Sequence, residues 1–76
     1  MKLIVREKVR DIVTLAMLKD KSIYTILVSY SFKNLNVTVH KNYALEFMNK
    51  IDLMDENAEE ELNEVIFKLK SLGDGK

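Results

Sequence analysis

Apolar residues recur along this chain with two different periods, and each change of period marks a new element. Val5, Val9, Ile12, Val13 and Ala16 fall on one arc of about 100° when residues advance by 100° each, with Glu7, Arg10, Asp11 and Thr14 opposite. The spacing predicts an amphipathic helix over 5–19. A strand over 9–18 fails, because Ile12, Ala16 and Leu18 would oppose Val13, Leu15 and Met17 and leave both faces apolar. Leu15 and Leu18 lie off the main stripe, which predicts contact on a second side of the helix.

After the polar break Asp20-Lys21-Ser22 the period becomes two. Tyr24, Ile26, Val28, Tyr30 and Phe32 alternate with Thr25, Leu27, Ser29 and Ser31, and Leu35, Val37 and Val39 alternate with Asn36, Thr38 and His40. Alternation rich in β-branched and aromatic residues predicts a β-hairpin. With Lys33-Asn34 as a two-residue turn, Phe32 opposes Leu35, Tyr30 opposes Val37 and Val28 opposes Val39. A four-residue loop keeps the same apolar face, since any even loop length conserves the alternation.

From Tyr43 the spacing returns to helical. Ala44, Met48, Ile51, Asp55, Ala58, Leu62, Val65, Leu69 and Leu72 follow steps of four and three. Asp55 interrupts the seam, and Asn57-Ala58-Glu59-Glu60 has the form of an N-cap with a capping-box Glu. Two helices, over 43–53 and 58–72, are therefore expected, with one continuous helix as the alternative. Lys68 and Lys70 suit a helix C-terminus and Gly73 a C′ position. The expected product is one α+β domain over 1–72: helix, hairpin, then two helices or one long one. Residues 73–76 are expected to form a disordered tail.

Size and composition add the expectation of a partner. A chain of 76 residues buries only about 60–65% of its unfolded surface, and one core of that size contributes roughly 3–5 kcal/mol of net stability. No Cys is present for disulfides or thiolate metal sites, and a single His cannot build a poly-imidazole site. A lone hairpin is marginal in water. A homodimer is the expected solution. No segment has the ~18 apolar residues of a membrane span, and Arg6, Glu7 and Lys8 interrupt the only leader-like run. The expectation is a cytoplasmic protein without membrane association.

The charges are balanced overall but not along the chain. Residues 1–50 carry nine basic and four acidic side chains, and residues 51–76 carry three basic and eight acidic ones. Seven acids fall between 52 and 64 without a base: Asp52, Asp55, Glu56, Glu59, Glu60, Glu61 and Glu64. Such a split predicts either an interaction surface for a basic protein partner or internal complementarity between the halves. As a calcium loop beginning at Asp52 the stretch fails. Met54 stands where a ligand oxygen is needed, Asn57 at the Gly position and Asn63 at the bidentate Glu position.

Other candidates for chemistry are sparse. His40 shares the polar hairpin face with Asn36 and Thr38 and has no Cys or Asp at metal or triad spacing. Ser29, Ser31 and Thr38 lack a nucleophile-elbow motif. Both Gly lie at 73 and 75, so no Gly-rich phosphate loop exists. No enzyme and no cofactor are expected.

Residues 35–72, in the predicted order strand, helix, break, helix, resemble the ribbon–helix–helix DNA-binding family. That resemblance implies Asn36, Thr38 and His40 as base readers in the major groove. It rests on order and length alone. It departs at Glu59, Glu60 and Glu61, where the family holds a phosphate at a helix N-terminus. The leading expectation is a non-catalytic interaction or regulatory protein acting through an acidic helix face: an adaptor, inhibitor or accessory subunit. A small nucleic-acid binder with a ribbon–helix–helix-like C-terminal half is the alternative.

Overall fold

A computed structural model of the chain describes residues 2–19 and 21–72. Its order is α1 (Leu3–Leu18), β1 (Tyr24–Tyr30), β2 (Asn34–Lys41), β3 (Ala44–Asp52) and α2 (Ala58–Ser71). The three strands form one antiparallel sheet in the order β1-β2-β3. The class is α+β, as expected. The tail over 73–76, Gly73 and Asp20 lie outside the described residues.

The main correction concerns residues 43–53. They form a strand and not a helix, which also removes the single long helix and replaces the hairpin by a three-stranded sheet. The physical reason lies in β2. Leu35, Val37 and Val39 are fully buried under the helices, and the N–H and C=O groups on the side of β2 away from β1 need backbone partners there. β3 supplies the second neighbour, pairing Leu35 with Ile51, Val37 with Asn49 and Val39 with Phe47. An irregularity between Val39 and His40 then shifts the register so that His40 opposes Leu45.

The first hairpin closes with the longer loop. Tyr30 opposes Leu35, Val28 opposes Val37 and Ile26 opposes Val39. The apolar face is kept, as an even loop requires, but the two-residue turn at Lys33-Asn34 is not formed. Phe32 leaves the apolar face for the connection and is exposed. Ser31 N–H donates to the Asn34 carbonyl at 2.9 Å to close the loop.

β2 and β3 are joined by a tight two-residue turn. Asn42 and Tyr43 both have positive φ, at 50° and 71°, as a type I′ turn demands. Asn tolerates the left-handed region, whereas a bulky Tyr is strained there, and Tyr43 is 98% exposed with no packing to offset the strain. Tyr43→Gly should therefore raise the unfolding free energy by about 1 kcal/mol, read as a shift of the urea midpoint at unchanged slope.

Both helices pack on the sheet face that carries Leu35, Val37, Val39 and Ile51. They run in the same direction. Near the start, Lys8 Nζ donates to Asn63 Oδ1 at 2.6 Å; at the far end, Lys19 Nζ donates to the Leu72 carbonyl at 3.1 Å. Lys19 is buried, with its ammonium at the negative end of the α2 dipole, where a cation is favourable. α2 buries Ala58, Leu62, Val65 and Leu69, the stripe its spacing predicts. α1 buries only Val5 and Ile12. Leu15 makes the predicted second contact, lying half-buried beside Ile66 of α2, whereas Leu18 is exposed.

Candidate functional site

The acidic residues sit at one end of the molecule, around the β3–α2 connection and the first turns of α2. Two of them shape the chain locally. The Asp52 carboxylate accepts a hydrogen bond from Met54 N–H at 2.9 Å, and Asp55 accepts one from Asn57 N–H at 2.8 Å. These aspartates fold the connection as Asx turns. Asn57 occupies the N-cap position, but its side chain makes no capping bond, so the expected capping box is not formed. Glu59, Glu60 and Glu61 fill the first turn of α2, and Lys68 and Lys70 its last. Both placements suit the helix dipole.

All seven acids are solvent-exposed. The expected acidic helix face is not formed: Asp52, Asp55 and Glu56 precede α2, Glu64 lies at its middle, and Glu59, Glu60 and Glu61 point about 100° apart as consecutive helical residues. Asp55, Glu56 and Glu59 line a cleft of about 320 Å³ with Lys2, Val5, Leu53, Met54 and Ala58. Glu64 makes an i,i+4 ion pair with Lys68 at 3.7 Å, of the kind that contributes only about 0.3–0.5 kcal/mol. Lys68 also lies 5.4 Å from the Phe47 ring centroid and donates to Asn49 Oδ1 at 3.4 Å. That contact ties α2 to β3.

The cations do not gather. Lys2 lies in the acidic cleft, and Lys8 bonds Asn63 between the helices. Arg6 and Arg10 flank Tyr30 beside β1. Lys33 occupies the β1–β2 connection, while Lys41 lies at the other end of β2, 6.0 Å from the Tyr24 ring centroid.

Asn36, Thr38 and His40 lie half-buried on the open face of the sheet, away from the helices. Their neighbours across β1 are Ser29, Leu27 and Thr25; across β3 they are Lys50, Met48 and Leu45. The strand–helix–helix order that suggested base reading by these three residues is absent, because the element after β2 is β3. Among the described residues no group of three or more His, Asp, Glu or Cys is placed to hold a metal ion. No helix of the described residues is long and apolar enough to cross a membrane.

Two surface features escape the sequence reading. One is Tyr43, presented at the tip of a strained turn; the pair Asn42-Tyr43 between two alternating runs is its only local signal. The other is the outer edge of β1, inside the uncharged stretch Ser22–Phe32. Comparison of the chain with models of known families, with curated proteins and with solved structures finds no match.

Proposed function

We propose that this is a small non-catalytic interaction protein whose acidic end docks on a basic surface of another protein. The observation that carries the reading is the separation of charge. Six exposed carboxylates, Asp52, Asp55, Glu56, Glu59, Glu60 and Glu61, gather around the start of α2 with Lys2 beside them, whereas the other cations are dispersed over both ends of the sheet, the helix–helix seam and the β1 side. A crowd of like charges repels itself, and the dipole of α2 offsets this only within its first turn. Such a field steers a cationic partner toward that end, with a strength that falls as salt rises. The same dispersal of cations argues against nucleic acid, whose affinity comes largely from neutralised phosphates.

Conversion of Glu59, Glu60 and Glu61 together to Gln tests the reading. Capture from the source cell, with tagged wild type beside the variant, should recover a protein with a basic surface. The variant should hold it about 10-fold less tightly, and a rise from low to physiological salt should weaken the wild-type complex in the same sense. Undiminished capture by the variant, with a fall in its own thermal stability, would show the acids to be internal partners of this chain's cations.

A further inference from the structure

The two edges of the sheet differ in a way that points to a second copy of this chain. β3 carries Glu46, Lys50 and Asp52, and it bulges at Glu46, the extra residue between Leu45 opposite His40 and Phe47 opposite Val39. Charges and bulges are the devices that keep an edge strand from pairing. β1, Tyr-Thr-Ile-Leu-Val-Ser-Tyr, has no charge, no Pro and no irregularity. It lies within the longest uncharged stretch of the chain, Ser22–Phe32.

The hydrogen-bond alternation fixes which groups this edge offers. Ser31 N–H bonds the Asn34 carbonyl and Asn42 N–H bonds the Ile23 carbonyl, both at 2.9 Å. Odd-numbered residues therefore exchange bonds with β2. The N–H and C=O groups of Tyr24, Ile26, Val28 and Tyr30 point outward to the open edge. Beside them on α1, Val9 and Val13 line a groove with Arg6, Arg10 and Tyr30, and Met17, one turn beyond Val13, continues the row at i, i+4 and i+8.

We infer that β1 pairs antiparallel with β1 of a second copy about a two-fold axis at Leu27, giving a continuous six-stranded sheet. In this register Ile26 exchanges both backbone bonds with Val28 of the second copy, and Tyr24 does so with Tyr30. The two Leu27 residues meet at the axis as a non-hydrogen-bonded pair, where side chains approach most closely. The register is self-complementary, as a two-fold interface must be. Outward groups meet outward groups, helix-side residues meet helix-side residues, and no charge of either strand is buried.

The exposed surface is of the right size. Val13, Met17, Leu27 and Tyr30 are 39%, 70%, 61% and 58% exposed. Together they offer on the order of 500 Å², more than half of the ~800 Å² each partner contributes to a stable interface, and the strand edge adds to it.

Sedimentation equilibrium of the full chain at micromolar concentration tests it, with Leu27→Lys and Met48→Lys compared. Met48 is 67% exposed and lies in the same cross-strand row as Leu27, on the far strand. Wild type and Met48→Lys should sediment at twice the 8.9 kDa chain mass. Leu27→Lys sets two ammonium groups against each other at the axis and should weaken the dimer about 100-fold with unchanged circular dichroism. Amide exchange gives a readout on wild type without any variant. The outward amides of Ile26 and Val28 should be protected at high concentration and lose that protection on dilution. A wild-type monomer, equal weakening by Met48→Lys, or rapid exchange of those amides at every concentration would overturn the proposal.

Discussion

Val37→Asp should abolish the cooperative thermal transition, whereas Thr38→Asp, one residue further along the same strand, should lower its midpoint by only a few degrees. Val37 lies at the middle of the central strand, between Val28 and Asn49, and is fully buried. A carboxylate there is taken out of water or must take up a proton, and Lys68 next door is already engaged by Asn49 and Glu64; either outcome costs several kcal/mol. That equals or exceeds the roughly 3–5 kcal/mol a domain of this size has in total. Thr38 points to the open sheet face between Leu27 and Met48, where water still reaches the new charge. The cost there is the poorer strand preference of Asp, up to about 1 kcal/mol. Thermal melts followed by circular dichroism read both variants. Similar midpoints for the two would mean that the face of β2 toward the helices is wrongly assigned.

Residues 43–53 show where the sequence is least legible. Ala44, Leu45, Glu46, Met48 and Lys50 are all good helix formers, and the apolar positions happen to fall at steps of four and three. As a strand, the helix-side positions are Phe47, Asn49 and Ile51, so a polar residue breaks the alternation in its centre. Asn49 is tolerated because its carbonyl oxygen receives Lys68 of α2, a partner nineteen positions away that no local pattern announces. The irregularity opposite Val39 and His40 shifts the alternation again before Ala44 is reached. Tertiary demand for a second neighbour of β2 outweighed local propensity.

Other elements were legible for the opposite reason. β1 and β2 alternate without interruption, and parity alone kept their apolar face correct although the turn was longer than the two-residue alternative. α2 announced itself through Asn57, the acids of its first turn and the lysines of its last. The acidic end was visible as composition, yet the roles of Asp52 and Asp55 in folding the connection required the turn geometry. The open edge of β1 could not be read at all until β3 was placed beyond β2, because in a bare hairpin both strands are edges.

Ile12→Ala should lower the melting midpoint by roughly 10–25 °C, more than any single truncation elsewhere on α1. The helix is moored by few side chains. Of its residues only Val5 and Ile12 are buried, and Ile12 is fully so, while Val9 and Leu15 are half-covered. α2, by contrast, buries Ala58, Leu62, Val65 and Leu69 and is tied to β3 through Lys68. Truncation of a buried Ile to Ala costs about 2–5 kcal/mol, part of it from the cavity left behind, and a lightly moored helix that can settle into the cavity puts Ile12 at the lower end, about 2–3 kcal/mol. Each kcal/mol shifts the midpoint of a domain this small by about 4–8 °C. The loss should also be local before it is global, since regions with few buried contacts open first. Amides of α1 should exchange faster in the variant than those of β2 and α2 under conditions where the sheet is still intact. Uniform acceleration through the whole chain would instead mean that α1 and the sheet form a single cooperative unit. In that case Ile12 anchors the core as much as any residue of α2.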